Sequence, residues 1–507
     1  MPTIDDLLTR PFGTVPECVR EHARARPAAP ALLQDDRVLD FAALDALMDR
    51  AAAAMQRDGL AQGNAIAICA LSSIEYAAVY LAALRAGIVV APLAPSSTPA
   101  QLAAMTADAG AKLLFLDRST ADALPLAPAR IALDGPGFEA WLAPAGAKPA
   151  PVTADPEAAF NIIYSSGTTG TPKGIVQPNA MRWSQVLRAA ALGYGPGAVT
   201  LLSTPLYSNT TLVCFFPSLA YGGAVVLMAK FDAAGYLALA QRHRVTHTML
   251  VPVQYQRLMA RADFGDYDLS SFRMKLSTSA PFAADLKADI LRRWPGGLTE
   301  YYGMTEGGGT FILAAHEHPH KLHTVGKPAP GHDIRLIDEQ GREVAPGEMG
   351  EVVGHSGMMM TGYHNQPEKT AETEWHADGK RFIRTGDVGR MDAEGFLTLL
   401  DRKKDVIISG GFNIYPTDLE VAVRAHPAVA DVAVVGVPSE QWGETPVAFV
   451  VLAEGAKAAP AEILAAANAT LGRMQRIAAV ELLAALPRSA IGKVLKRELR
   501  DQWRGAR

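Results

Sequence analysis

Short apolar, β-branched runs alternate with alanine-rich stretches through the first 150 residues, the runs falling at 66–69, 87–92, 112–116 and 129–133. Strands separated by helices of this length predict parallel α/β layers. A second alternation runs from about 160 to 299, with strands predicted at 160–164, 201–203, 224–228 and 247–251. The most apolar segment, 76–93, carries Arg85 in its middle. A bilayer span needs about 20 nearly uncharged residues, so this segment reads as a buried helix followed by the strand at 87–92. Between 332 and 400 the pattern changes to short strands and tight turns such as Asp338-Glu339-Gln340-Gly341 and Asp392-Ala393-Glu394-Gly395, a smaller β element.

Five consecutive charged residues, Asp401-Arg402-Lys403-Lys404-Asp405, read as a solvated connection. Beyond them a helix is predicted at 418–425, strands at 432–437 and 447–452, a helix at 461–471 and a strand at 482–486 that stops at Pro487. About 100 residues with their own pattern can fold as a unit. The expected division is an N-terminal domain over 1–400, a hinge at 401–406 and a C-terminal domain over 407–507.

Composition narrows the function class. Of 507 residues 49% are hydrophobic and 20% charged, enough apolar material for large cores and incompatible with a disordered or fibrous chain. Net charge is −4, from 48 basic and 52 acidic residues. With no basic surplus to neutralise a phosphate backbone, nucleic acid is not expected as the main partner. The three cysteines, Cys18, Cys69 and Cys214, are far apart and form no CxxC pair, so buried, reduced thiols are expected rather than disulfides or a zinc ribbon. The start, Met1-Pro2-Thr3-Ile4-Asp5-Asp6, has neither a basic nor an apolar signal region. A cytoplasmic protein with no membrane partner is the expectation.

The strongest chemical signal is Tyr164-Ser165-Ser166-Gly167-Thr168-Thr169-Gly170-Thr171-Pro172-Lys173-Gly174, set between the predicted strand 160–164 and the apolar pair Ile175-Val176. The ten residues from Ser165 hold five hydroxyls, three glycines and one lysine. Glycines let backbone N–H groups approach an anion, hydroxyls add donors and the lysine adds charge, which suits a polyphosphate. The spacing is not that of the usual P-loop. A polar hairpin turn is the alternative, disfavoured because turns rarely end so dense a donor run on a lysine. Further on, Tyr302-Gly303-Met304-Thr305-Glu306 offers a flat ring for a base, a hydroxyl and a hard oxygen ligand for Mg²⁺, although such a pentapeptide alone is equally an ordinary turn.

These segments, in this order and spacing, resemble the acyl-adenylate-forming superfamily of acyl- and aryl-CoA ligases, carrier-protein adenylation domains and firefly luciferase, over about 40–500. The resemblance implies that Ser165, Ser166, Gly167, Thr168, Thr169, Gly170 and Lys173 bind the phosphates of ATP. It implies that Tyr302 stacks on adenine within Glu300-Tyr301-Tyr302-Gly303-Met304, that Thr305 contacts the α-phosphate and acyl carboxylate, and that Glu306 holds Mg²⁺. Glu300 stands where relatives often carry an amide, and its carboxylate can still accept from the adenine amine. Ser279-Ala280-Pro281 matches the Gly-Ala-Pro segment packed on adenine and substrate, with Ser279 as a departure. Asp387, in Thr385-Gly386-Asp387, corresponds to the ribose ligand, Arg402 to a second ribose contact and Lys404 to the hinge.

Ser409, Gly410 and Gly411 resemble the loop lining the thiol channel. Trp442 and Arg476 lie where some aryl-CoA ligases contact the nucleotide of CoA, though the run around Arg476 is degraded to Met474-Gln475-Arg476-Ile477. Gly492-Lys493 completes the C-terminal motif, whose lysine would sit between carboxylate and α-phosphate during attack. The clearest departure is Pro205-Leu206-Tyr207-Ser208-Asn209: many CoA ligases place a gating histidine where Ser208 stands, leaving Tyr207, another side chain or a differently built pocket to take that role. His316, His318, His320 and His323 alternate as metal ligands can, but without a supporting cysteine or acidic set they read as a variable loop.

The resemblance implies an α/β fold: a large N-terminal domain with two parallel α/β layers plus a small β element, and a smaller mobile C-terminal α+β lid. The implied activity is ATP-dependent conversion of a carboxylic acid to an acyl-adenylate with Mg²⁺, then transfer to coenzyme A. Rivals are loading of a carrier protein and a nucleotide-binding pseudoenzyme. The chain stops 14 residues after Lys493, so no fused carrier domain is expected. Lys173, Glu306, Asp387 and Lys493 together weigh against the pseudoenzyme. The segments expected to line the acyl pocket, 207–211, 251–255, 279–281 and 302–310, contain no Lys or Arg. That disfavours a second carboxylate and favours an apolar aromatic, cyclic or medium-chain acid. No feature sets an oligomeric state.

Overall fold

Ala65–Cys69 is buried at every position, as a continuous apolar run in a parallel sheet covered on both faces should be. In the computed structural model it sits inside a seven-stranded sheet with the order Gly362–Tyr363, Lys173–Pro178, Ala159–Ser165, Val89–Pro92, Ala65–Cys69, Ala111–Leu116, Ala129–Ala132. The last five strands of that order run parallel, and the first two are added antiparallel. A second sheet has the parallel order Gly297–Gly303, Met274–Ser277, His247–Leu250, Val199–Leu202, Ala224–Leu227, Pro30–Gln34, with antiparallel Thr310–Ala314 and Arg37–Asp40 at its flanks. The described residues are 3–125, 128–165, 173–402, 405–409, 412–472, 475–489 and 492–503.

The two layers foreseen from the alternation are therefore present, and one apolar core runs through both. Helix Ile74–Arg85 is buried along almost its whole length and shares that core with Phe41–Arg57 and Asn209–Ala220. Its alanines allow close approach, and Ser73 caps it by accepting from the Tyr76 N–H. Arg85, the charge inside the most apolar segment, is tied to Asp45 at 2.6 Å and Asp49 at 2.9 Å. The three cysteines are buried, and burial pushes each thiol up to about 12. No helix among the described residues is long and apolar enough to cross a membrane.

Contacts divide the chain into Met1–His323 with Pro328–Asp333 and Gly354–Ile383, and a second unit of Thr324–Lys327, Ile334–Val353 and Arg384–Arg507. The second unit thus takes in 384–400, ahead of the hinge expected at 401–406. Its C-terminal part is α+β: the hairpin Val429–Ser439 and Gly443–Leu452 is flanked by Ile407–Ser409 and by a parallel strand, Ala479–Leu482. Leu419, Val423, Val434, Val450 and Ile463 fill the space under helices Pro416–Arg424 and Pro460–Thr470.

Two expectations need correction. The strand predicted at 482–486 lies at Ala479–Leu482, because pairing with Val447–Val450 fixes it and the pattern of its own residues does not. The charged run is not uniformly solvated. Asp401 accepts from the Thr417 N–H at 3.3 Å and lies 3.7 Å from Lys496, and buried Asp405 pairs with Arg500 at 2.7 Å. Lys496 and Arg500 belong to the final helix, Lys496–Gln502, so the counter-charges come from nearly a hundred residues downstream.

Candidate functional site

In a parallel sheet, ligands sit beyond the carboxyl ends of the strands. Here the strands ending at Leu202, Leu250, Ser277 and Gly303 are side by side. The segments they lead into are Pro205–Asn209, Val251–Tyr255, Ser279–Pro281 and Met304–Glu306, so four stretches scattered through the sequence leave one edge of one sheet. On the other sheet, Ser165 ends a strand and Lys173 begins the next, directly opposite it in register. Ser166, Gly167, Thr168, Thr169 and Gly170 lie outside the described residues, as do Lys404, Gly410 and Gly411.

The two sheets are joined at this edge. Gln177 donates from Nε2 to the Thr305 carbonyl at 2.7 Å, while its Oε1 accepts from Arg182. The Glu306 carbonyl accepts from the Met360 N–H at 2.7 Å. The Tyr363 hydroxyl donates to Glu306 Oε1 at 2.9 Å, and the Lys173 ammonium stands 4.8 Å from the centroid of the same ring. The lysine expected on phosphate and the carboxylate expected on Mg²⁺ therefore flank one tyrosine. Burial, and then the Glu306 charge, push the Tyr363 hydroxyl far above its ordinary value, so it remains a donor. Oε1 of Glu306 is held, and among the described residues nothing hydrogen-bonds its other oxygen, a fit for Mg²⁺ carried on one carboxylate plus substrate phosphates.

Tyr363 and Gln177 carried no motif signal. Their neighbours in sequence, Gly362 and Val176, are paired strand residues, and only that pairing reveals the contact.

Strand Gly297–Gly303 sends alternate residues to opposite faces. Glu300 is buried on one face in an ion pair with Lys287 of helix Ala284–Arg293, whose ammonium also donates to the Leu322 carbonyl at 2.8 Å. Burial raises the pKa of Glu300 against the opposing pull of Lys287. The carboxylate foreseen on the adenine amine thus already has a cationic partner. Tyr302 shares that face, its ring 5.7 Å from Phe311. Tyr301 points the other way and packs on the large core.

Ser279 adopts φ +82°, the left-handed region that favours glycine, and its hydroxyl meets Thr210 Oγ1 at 2.6 Å. Ala280 and Pro281 follow it, ahead of helix Ala284–Arg293. Ser208 is buried and caps helix Asn209–Ala220, accepting from the Thr210 N–H at 3.3 Å. The gating position is therefore occupied by a capping residue. Tyr207 is half-buried beside it, its hydroxyl pushed up to about 12 by burial. Asn209 Oδ1 is buried without a hydrogen-bond partner among the described residues. The glycines after Glu306 are packing residues: a Cβ on Gly307 would lie 2.0 Å from the Met358 carbonyl oxygen, and one on Gly308 2.7 Å from that of Gly354.

In the second unit Asp387 and Arg402 oppose each other across a hairpin, with Arg402 Nε 3.1 Å from Asp387 Oδ1. Ser409 is buried opposite Gly443 in register, one residue from the exposed Trp442, and Arg476 is exposed. Lys493 rides on a tight hairpin closed by Ser489 N–H to the Lys493 carbonyl at 2.8 Å, with Gly492 at φ +79°. Arg488 braces it, donating to the Gly492 carbonyl and to Asp431 Oδ2, each at 2.6 Å. The lysine backbone is thus fixed while its side chain is exposed. His316 bonds the Leu298 carbonyl at 3.1 Å, and no group of three or more metal-holding side chains occurs among the described residues.

Comparison with known proteins identifies the family of the chain. The family model of AMP-binding enzymes matches 19–364, and that of the AMP-binding enzyme C-terminal domain matches 418–493. A fatty acid–[acyl-carrier-protein] ligase, ScoC of Streptomyces coeruleorubidus, is 32% identical over 500 residues, 96% of this chain and 95% of its own length. An indoleacetate–CoA ligase of Aromatoleum aromaticum is 33% identical over 507 aligned positions, 96% of this chain and 97% of its own. The o-succinylbenzoate coenzyme A synthetase MenE of Bacillus subtilis, solved with ATP and magnesium ion, superposes with a TM-score of 0.82 at 27% identity, covering 96% of this chain and 98% of the other.

Proposed function

This chain belongs to the AMP-binding enzyme family, and on that premise we propose that it activates a carboxylic acid with ATP and passes the acyl group to the thiol of coenzyme A. The observation that carries the reading is the Lys173–Tyr363–Glu306 arrangement beside the expected triphosphate loop. A carboxylate oxygen attacks the α-phosphorus and pyrophosphate leaves. The thiol then attacks the acyl carbon, AMP leaves, and the thiol proton goes to solvent. Glu306 would hold Mg²⁺, which supplies charge neutralisation on the phosphates. Thr305 and Ser279–Pro281 border the reacting carboxylate, Tyr302 and Glu300 the base, and Asp387 with Arg402 the ribose.

The C-terminal domain, 407–507, acts as a lid that turns about Lys404 in the hinge 401–406. In one arrangement Lys493 neutralises two anions that must meet. At ~4 Å and an effective dielectric of ~20, one such charge pair is worth about 4 kcal/mol. In the other arrangement 409–411 lines the thiol channel, with Trp442 and Arg476 on the nucleotide of CoA. The acid has a mainly apolar body, since the segments expected to line its pocket, 207–211, 251–255, 279–281 and 302–310, contain no Lys or Arg. ScoC, at similar identity, keeps a carrier-protein acceptor as the second reading.

The test supplies free CoA and a purified carrier protein in parallel, with a panel of acids and ATP, and reads AMP release. Lys493→Ala should lower the carboxylate-plus-ATP step by ~10²–10³ and spare thioester formation from a supplied adenylate. Equal loss in both steps contradicts the division of labour. Absence of pyrophosphate exchange with every acid leaves the pseudoenzyme reading.

A further inference from the structure

Arg182 stands at the end of the first turn of helix Asn179–Arg188 and is 3% exposed. Its Nη2 donates to Gln177 Oε1 and its Nη1 to Gln185 Oε1 at 2.8 Å, while the guanidinium lies 5.5 Å from the centroid of Phe160. No carboxylate pairs with it among the described residues. Gln177, in strand Lys173–Pro178, is fully buried and carries the contact onward, its Nε2 donating to the Thr305 carbonyl at 2.7 Å. Thr305 and Glu306 are the central residues of a turn just beyond strand Gly297–Gly303, closed by the Gly307 N–H on the Met304 carbonyl at 3.1 Å.

A buried arginine is often no more than a well-bonded piece of core. This one is poorly placed for that task. Burial brings its pKa down to about 10, so it is still a cation at neutral pH, in an interior where a charge is ordinarily paired with an acid. It also lies near the N-terminus of its helix, the end at which the dipole disfavours positive charge. Two apolar side chains of similar shape in place of Arg182 and Gln177 would serve the core about as well. What the pair supplies instead is direction. Arginine carries only donors, so the Gln177 atom facing it is the oxygen, and the amide nitrogen is left to point at Thr305. The Thr305 carbonyl belongs to the central peptide of the turn, whose rotation distinguishes one turn type from another. Gln177 holds that oxygen and the Met360 N–H holds the Glu306 carbonyl at 2.7 Å, so the peptides on either side of Glu306 are both fixed.

We propose that Arg182 is a positioning residue for adenylate formation: by fixing the amide of Gln177 it holds the Thr305–Glu306 peptide in the one orientation that aims the Thr305 hydroxyl at the reacting groups and the Glu306 carboxylate at the metal. Neither Arg182 nor Gln177 touches substrate, and both act through the turn. The role deepens the ligase reading and rests on it.

The test uses the full chain and follows pyrophosphate exchange with ATP, Mg²⁺ and the panel acid that the wild type activates best, beside thermal melts of every variant. Gln177→Glu keeps the side-chain length and gives Arg182 an ionic partner, but sets a carboxylate against the Thr305 carbonyl. Its melting temperature should stay at or above that of the wild type. Its exchange rate at saturating ATP should fall by ~10²-fold, the effect that a misplacement of about 1 Å produces. Gln177→Leu and Arg182→Met should each lower that rate by ~10-fold with KM for ATP little changed, the pattern of an interaction made in the transition state. Arg182→Lys still donates to Gln177 Oε1 and should recover most of the Arg182→Met loss. If a single variant fails to fold, Gln177→Leu with Arg182→Met removes both polar groups together and should fold yet exchange slowly. A folded Gln177→Glu or double variant that exchanges at the wild-type rate overturns the role and leaves the ligase reading intact, as does a loss confined to KM for ATP. Absence of exchange in the wild type with every acid removes the ligase reading and the role with it.

Discussion

Lys287→Met should strand a carboxylate in the interior. Glu300 is 4% exposed, its partner cation is Lys287, and burial already raises its pKa. Removing one member of a buried pair costs ~3–5 kcal/mol, because the other charge stays in place uncompensated. The unit that holds the pair has roughly 360 residues, and an unfolding entropy of about 2 cal/mol/K per residue makes 1 kcal/mol worth about 1.3 °C. A melt of the variant should therefore fall by about 4–7 °C. Lys287→Met with Glu300→Gln removes both charges at similar volume and should recover most of the loss.

The pH dependence has a definite sign. The folded pKa of Glu300 lies above its unfolded value, so the contribution of its protonation is fully present below the ordinary glutamate pKa and is lost as pH rises through the raised one. Without Lys287 the folded value moves further up, and the deficit should be smallest near pH ~4 and grow toward pH ~8. A single variant that melts with the wild type at the higher pH refutes the buried-pair argument. So does a double variant as unstable as the single.

Tyr363→Phe keeps the ring beside Lys173 but removes the donor to Glu306. The Mg²⁺ concentration giving half-maximal pyrophosphate exchange should rise by ~10-fold or more, from the loss of one hydrogen bond to a charged group, with the rate at saturating Mg²⁺ less affected. Ser279→Gly should melt above Ser279→Ala by about 1–2 kcal/mol of stability, since both lose the hydroxyl on Thr210 and only alanine keeps a Cβ at φ +82°. Gly307→Ala should give little folded protein by size-exclusion chromatography, because its Cβ would sit 2.0 Å from a backbone oxygen at a residue with φ +81°.

The amino-acid sequence alone determined what depends on local pattern and on runs of special residues. Parallel strands buried on both faces, such as Ala65–Cys69, must be continuously apolar, so their positions were legible. So was the family, because the donor-rich stretch ending at Lys173 and the order of motifs through to Lys493 resemble it together over most of the chain. Tertiary structure decided the pairings. Asp401 and Asp405 look solvated until Lys496 and Arg500 fold back on them. Glu300 reads only as an adenine contact in the sequence, and the fold adds that its carboxylate is half of a buried ion pair with Lys287. Tyr363 joins Lys173 to Glu306, and Gln177 meets Thr305, across sequence separations that no periodicity spans. A charge or hydroxyl acts through whatever faces it, and which group faces it is set by strand order and register.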